Sequence, residues 1–310
     1  MMTGTVYKSS GNLYSIKVRN GVEFQCRIKG KLRMEGVKST NPIAVGDIVE
    51  FDVEGNKNSR TGIIKSICDR KNYILRKSVN LSKQTHIIAA NIDTLFLVVT
   101  LNNPTTSTNF IDRFLISSNV HSIDTIILFN KMDTYNQQEL LEIDKLIDIY
   151  TKIGYECIKV SATTNLNIDK IISLIKNKTI MLGGHSGTGK SSLINCINPE
   201  LNLKTSEISN QYLQGKHTTT HAQMFDLNYE AKIIDTPGIK GFGIIGLEKN
   251  QIGDFFPEFY KNRNKCKFNN CLHLDEPHCK IKELVNTNKI ASSRYENYKQ
   301  IIMSEDLKYR

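Results

Sequence analysis

Apolar residues in the first 72 positions alternate with polar ones in short runs. Tyr14, Ile16 and Val18 form one run; Val22, Phe24, Cys26 and Ile28 form another, with Glu23, Gln25, Arg27 and Lys29 between them. The stretch Val45–Val53 alternates again after a glycine turn, and Thr61–Ile67 reads as a final strand. Period-two alternation places one face of each strand on a core and the other in water. Short strands with Gly-rich turns predict a small closed barrel of five strands, and the OB-fold is the commonest such choice.

The texture changes from Asn91. Ile92–Val99 and Thr125–Phe129 are continuous apolar runs, the pattern of strands covered on both faces. Helical patterns occupy Phe110–Asn119 and Gln137–Ile153; in the second, Leu140, Leu141, Leu146, Ile147 and Tyr150 define one face. Cys157–Val160, Thr179–Leu182 and Ala231–Ile234 complete an alternation of strands and helices, which predicts an α/β domain with a mostly parallel sheet. Ser206–Ala222 is polar and aperiodic and reads as a mobile loop. No apolar run reaches the length of a bilayer crossing, and the start MMTGTVYKSS has no apolar signal core, so a cytoplasmic chain without a membrane partner is expected.

Composition adds one asymmetry. Hydrophobic residues at 39% and charged residues at 23% fit a soluble globular protein of 310 residues, long enough for two or three domains. The net charge of +10 is concentrated at the two ends: residues 1–72 hold 13 Lys/Arg against 7 Asp/Glu, and residues 260–310 hold 11 against 6. Basic flanks on a nearly neutral middle point to a polyanionic partner such as RNA, distinct from the substrate; solubility alone is the other reading. Arg27, Lys29, Lys31 and Arg33 line the wet side of the second strand and its exit, where OB-folds hold oligonucleotides; a charge-protected strand edge is the alternative.

Three segments carry nucleotide chemistry. Gly184, His185, Ser186, Gly187, Thr188, Gly189, Lys190 and Ser191 fit the P-loop pattern in full, between an apolar strand and a helix start that continues through Ser192. The glycines let backbone N–H groups crowd round phosphate oxygens. Lys190 is expected at the β- and γ-phosphates, and Ser191 on Mg²⁺. Asp235, Thr236, Pro237 and Gly238 follow a strand downstream, where a nucleotide hydrolase places its second Mg²⁺ carboxylate; the Gly238 N–H is in place for the γ-phosphate. Asn130, Lys131 and Asp133 end the strand Thr125–Phe129. A carboxylate there accepts from the ring N–H and exocyclic amine of guanine, a pair that adenine lacks. Lys131's stem can lie over the base, Asn130 can tie its loop to the P-loop, and the Ala162 N–H, after Ser161, can meet guanine O6. Asp133 as a helix N-cap is the competing reading.

The cysteines divide. Cys26, Cys68, Cys157 and Cys196 sit among apolar neighbours as small core residues. Cys266, Cys271, His273 and Cys279 offer three thiolates and an imidazole to one structural zinc ion, which leaves no open position for catalysis. His278 is an alternative ligand, although its adjacency to Cys279 makes joint coordination awkward. A zinc ion would hold together a domain too short for its own core.

The base motif precedes the P-loop, the reverse of ordinary G proteins. With the barrel and the C-terminal cysteines, this order resembles the ribosome small-subunit-dependent GTPase A family (RsgA, also called YjeQ), a family of circularly permuted GTPases. The resemblance includes Gly46–Val49, Asp112 with Arg113, the P-loop, Gly215–Thr220 and Ser293–Tyr298. It implies a multidomain chain: an OB-fold RNA-binding domain over 1–72, an α/β GTPase domain with permuted motif order over 73–247, and a mostly helical zinc-binding domain over 248–310. It implies GTP hydrolysis stimulated by the small (30S) subunit, a role in late maturation of that subunit, rRNA contact, and action as a monomer. It also implies His273 as the zinc ligand, and Thr219 or a neighbouring Thr as the switch threonine that closes on Mg²⁺ and the γ-phosphate. Ile239 stands where many G proteins place a water-orienting Gln, and His217 is the family's candidate for that catalytic role; contact with rRNA or solvent is the other reading of His217. Lys216 and Thr188 replace the family's more usual Arg and Val without threatening the chemistry. A nucleotide-gated RNA-binding protein with negligible turnover is the functional alternative, and an ATPase acting on RNA a second.

Overall fold

A computed structural model describes residues 1–28, 42–55, 59–77, 85–202, 222–235 and 247–304. The chain forms two compact units that interleave in sequence: Met1–Leu95, Asp169–Leu182 and Ser191–Ile239 in the first, and Phe96–Ile168, Gly183–Lys190 and Lys240–Arg310 in the second.

The first unit opens with the barrel. β1 (Met2–Ser10), β2 (Leu13–Val18), β3 (Glu23–Ile28), β4 (Ile48–Glu54) and β5 (Thr61–Ile67) are its strands. β1 pairs antiparallel with both β2 and β4, β2 with β3, and β4 with β5, while β3 and β5 run parallel, so the ring closes. Closure leaves no free edge within the barrel. The alternating apolar residues face inward: Tyr14, Ile16, Phe24, Cys26, Val49, Phe51 and Ile64 form its core. The ring of Phe24 lies 5.2 Å from that of Phe51, and burying each such side chain contributes roughly 1.5–3 kcal/mol.

Two features depart from the sequence pattern. β1 has a bulge between Val6 and Lys8 that breaks its alternation, so Val6 and Tyr7 are both buried. β4 starts at Ile48 rather than Val45, because Gly46 has φ of +91° and a Cβ there would lie 2.1 Å from the Ala90 carbonyl oxygen. The next residue, Asp47, is fully buried and accepts from Arg70 Nε and Nη2, each at 2.6 Å.

After the barrel, β6 (Tyr73–Lys77) and β7 (Thr85–Ala90) form an antiparallel ribbon. β8 (Thr94–Val99) follows and is buried throughout. Further along, β11 (Thr179–Gly183) and β13 (Lys232–Asp235) are parallel neighbours, with β12 (Gln223–Asp226) antiparallel to β13. β12 also pairs with β1 at Lys8↔Gln223. Tyr7 Oη donates to Asp226 Oδ1 at 2.6 Å, and Lys17 forms an ion pair with the same carboxylate.

The second unit contains β9 (Asp124–Phe129) and β10 (Glu156–Lys159) as parallel neighbours, with α1 (Thr108–Val120) and α2 (Gln137–Lys152). The buried residues of α2 are Ile143 and Tyr150; Leu141, expected on the apolar face, is 58% exposed and falls outside it. The apolar stripe runs through Leu140, Ile143, Ile147 and Tyr150, at spacings of three and four. α3 (Ile168–Ile175) and α4 (Lys190–Ile197), which precede and follow β11, belong to the first unit except for Ile168 and Lys190. The C-terminal part holds α5 (Pro257–Tyr260), α6 (Lys280–Asn286) and α7 (Ser292–Met303). Their core of Ile252, Phe256, Phe259, Ile281, Tyr298 and Ile301 includes Ile116 of α1, so this segment completes its core on that helix. No helix among the described residues is long and apolar enough to cross a membrane.

Candidate nucleotide site and metal centre

The P-loop leaves β11 through three glycines with positive φ, Gly184 at +136°, Gly187 at +86° and Gly189 at +93°. Two are enforced by close approach. A Cβ on Gly184 would lie 2.3 Å from the Val98 carbonyl oxygen, and one on Gly189 would lie 2.3 Å from Asn130 Nδ2. Lys190 Nζ donates to the carbonyls of Gly184 at 2.9 Å and His185 at 2.6 Å. Thr188 is fully buried and its hydroxyl donates to the His185 carbonyl at 2.9 Å. The His185 ring lies 4.0 Å from that of Phe110 on α1. Burial, and then the Lys190 charge, lower the His185 pKa and keep its imidazole neutral.

The base loop meets the P-loop inside the second unit. Asn130 is buried, and its Nδ2 donates to the Thr188 carbonyl at 2.7 Å. Asn130 Oδ1 is buried with no hydrogen-bond partner among the described residues. Tyr135, which the sequence reading did not single out, donates to the Asn130 carbonyl at 3.2 Å and accepts from the Leu101 N–H at 3.0 Å. Lys131 holds φ of +65° and donates to the Asn103 carbonyl. Asp133 is exposed and its Oδ1 accepts from Ser161 Oγ at 2.5 Å, the chief cause that holds its carboxyl below the usual range. Ser161 is itself fully buried and accepts the Thr164 N–H at 3.1 Å, and Ala162 follows it, partly exposed. Asp133 caps no helix: α2 is capped by Asn136, in a reciprocal box with Glu139.

In the first unit, Ser191 is buried in the first turn of α4, followed by Ser192, and Asp235 ends β13. The register Met181↔Ile234 sets Asp235 beside the end of the strand that leads into the P-loop. Lys29, Lys31, Arg33, His217, Thr219 and Gly238 lie outside the described residues.

The metal cluster is compact. The ligand atoms of Cys266, Cys271, His273 and Cys279 all lie within 4.8 Å of one another. His273 Nδ1 lies 3.6 Å from Cys266 Sγ and 3.4 Å from Cys279 Sγ. Bonds of about 2.3 Å to sulfur and about 2.0 Å to nitrogen at a tetrahedral angle place S and N about 3.5 Å apart, so the donor set fits zinc. His278 is exposed and stands apart from the cluster. Burial, then the neighbouring sulfurs, push the Cys271 thiol up to about 12, a cost that a coordinated cation reverses.

α7 serves both regions of this unit. Tyr295 Oη donates to the His273 carbonyl and Tyr298 Oη to the Leu272 carbonyl, each at 2.7 Å, which fixes the metal loop. On the same helix Arg294 donates to both oxygens of Glu258, at 2.7 and 3.1 Å, and to Asp112 of α1. Asn297 Nδ2 reaches Asp112 Oδ2 at 2.7 Å, and Tyr150 Oη reaches Asp112 Oδ1 at 2.8 Å. Burial works against the Arg294 charge, but the two carboxylates outweigh it and hold the guanidinium ionised. Glu258 carries no local sequence signal that announces this role.

A P-loop hydrogen-bonded to an Asn-Lys-x-Asp loop that precedes it in the chain defines a circularly permuted GTPase. The RsgA GTPase signature matches residues 67–245, and that of the RsgA N-terminal domain matches residues 3–64. The chain is 56% identical over 309 residues to the small ribosomal subunit biogenesis GTPase RsgA of Christiangramia forsetii, covering 100% of this chain and 98% of that one. It is 47% identical over 310 residues to the protein of that name from Bacteroides fragilis, covering 100% and 99%. The crystal structure of YjeQ from Thermotoga maritima superposes with a TM-score of 0.79 at 32% identity, covering 100% of this chain and 99% of that one. YloQ, a circularly permuted GTPase, gives 0.75 at 27% identity, covering 99% and 95%. The chain belongs to the RsgA GTPase family.

Proposed function

We propose that this chain hydrolyses GTP to GDP and phosphate in the late maturation of the small (30S) ribosomal subunit, and that the subunit stimulates turnover. The observation that carries the reading is the bond from Asn130 to Thr188, which joins a guanine-selecting loop to a phosphate-binding one. Asp133, held ionised by Ser161, accepts from the N1–H and the amine of guanine. The Lys131 stem covers the base, and the Ala162 N–H meets O6. P-loop N–H groups from Gly184 to Ser192 take the phosphates, and Lys190 exchanges its two carbonyl partners for phosphate oxygens. Mg²⁺, held by Ser191 and Thr219, would neutralise charge on the β- and γ-phosphates. Asp235 and Gly238 complete the γ-phosphate side, and His217 orients the attacking water.

The labour divides along the chain. The barrel, residues 1–72, and the basic C-terminal segment grip rRNA; residues 73–247 turn over GTP; residues 248–310 form the zinc-binding part. With four protein ligands, one zinc ion there is structural. The chain acts as a monomer in the cytoplasm. The test is GTP turnover with and without purified small subunits. Strong stimulation, lost in His217→Ala, is expected; turnover indifferent to subunits favours a nucleotide-gated RNA binder instead.

A further inference from the structure

The second unit holds a cavity of about 460 Å³ between the C-terminal end of α2 and the segments around α5 and α6. Five lysines line it: Lys152, Lys261, Lys265, Lys280 and Lys289. Its one carboxylate, Glu258, is already engaged by Arg294. Lys152 and Lys280 are paired on their own helices with Asp148 and Glu283. Among the described residues no carboxylate pairs with Lys261, Lys265 or Lys289; Lys265 Nζ is 3.4 Å from Asn262 Oδ1. Five lysines against one carboxylate in the lining, three of them without a carboxylate partner among the described residues, make this hollow electropositive, and a chain of phosphates meets that charge at several points together.

The neighbouring surface narrows the choice of anion. Tyr260, next to Lys261, is 56% exposed, and the Arg263 guanidinium lies 4.9 Å from its ring centroid. Phe268 is 39% exposed, with Lys267 Nζ 5.6 Å from its ring. Exposed rings interleaved with cations are what a single strand needs, since each base has a face to stack and each phosphate a charge to meet. The lining offers no uncommitted carboxylate to read a guanine edge. We propose that the lysine cavity is a phosphate-backbone site for single-stranded RNA, with Tyr260 as a stacking platform at its rim. This rests on the reading that the chain works on ribosomal RNA, and it assigns a specific contact on the second unit.

The test uses the full chain and a fluorescein-labelled 12-nucleotide oligo(U) RNA, followed by anisotropy over a range of salt. Lys261→Gln, Lys265→Gln and Lys289→Gln are combined in one variant, whose basal GTP turnover should match wild type and so report an intact fold. Each neutralised phosphate contributes about 0.7 to the log–log salt slope for single strands. The triple variant should therefore lose about 2 from that slope and bind at least about tenfold more weakly. Tyr260→Ala should weaken binding by about tenfold with the slope unchanged. Unaltered affinity and slope in the triple variant would overturn the proposal, as would displacement of the RNA by micromolar pyrophosphate, the mark of a small-anion site. Subunit-stimulated turnover of the wild type is measured alongside. Stimulation without an RNA effect in the variant removes the cavity alone; absence of stimulation removes the underlying reading and this proposal with it.

Discussion

Asn130 and Thr188 are 58 positions apart in the chain, yet the amide of the first donates to the carbonyl of the second at 2.7 Å, in a site closed to solvent. Removing the amide leaves a buried carbonyl unpaired, which costs about 1–3 kcal/mol. Asn130→Ala should therefore loosen GTP and GDP alike, by about 5–150-fold. Titration with a fluorescent guanine nucleotide checks this. Unchanged affinity would mean that the P-loop holds its shape without the base loop.

Asp133 governs which base is accepted. Asp133→Asn replaces an acceptor by an amide that offers donors. Xanthine carries a carbonyl where guanine carries its amine, so the variant should lose GTP by roughly 10–100-fold and gain xanthosine triphosphate. Competition between the two nucleotides reads the exchange directly. Because Ser161 depresses the Asp133 pKa, the carboxylate persists below the usual carboxylate range. GTP selection should then hold as the pH is lowered to that range and fail only beneath it.

The metal centre makes a prediction about stoichiometry. Elemental analysis should find one zinc per chain in the wild type and in His278→Ala, and none in Cys279→Ser. The loss should lower the melting temperature, since the metal loop lies against the same core as Phe259 and Tyr298. A His278→Ala chain without zinc would redraw the ligand set.

Arg294 is only 2% exposed and lies between two carboxylates. Arg294→Met leaves both of them uncompensated and should cost about 3–5 kcal/mol, read as a shift in the urea midpoint. Arg294→Lys keeps the charge without the fork and should fall between the two.

His121 supplies the pH dependence. It follows α1, and burial lowers its pKa from 6.5 to about 4. The unfolded chain therefore takes up this proton before the folded one does. Stability from His121 is complete above pH 6.5 and is lost as the pH falls toward 4. In urea unfolding across that window, His121→Gln should flatten the acid arm.

Short-range patterns were legible in the sequence where chemistry fixes residue types at fixed spacings. The P-loop glycines, the Cys/His cluster and the apolar runs of β8 and β9 are of this kind, and their predicted bounds lie close to those observed. β1 escaped notice because its bulge brings Val6 and Tyr7 inward together, which erases period two. The ribbon of β6 and β7 escaped because neither strand alternates cleanly between Tyr73 and Ala90. Leu141 misled because hydrophobicity alone does not place a residue on the helix stripe, whereas the three-four spacing through Ile143 does. Asp112, Glu258 and Arg294 could not be joined by inspection. Charge pairing is a property of space, and 182 positions separate the first from the last.

That separation also sets a clock for synthesis. Asp112 emerges 182 residues before its counter-charge; at about 5–20 residues per second, the interval is roughly 10–35 s. During that wait a carboxylate destined for the interior must stay hydrated, so α1 cannot settle. Nascent chains halted before Arg294 should consequently be open to protease around Asp112, and release of α7 acts as the latch on the contacts of α1.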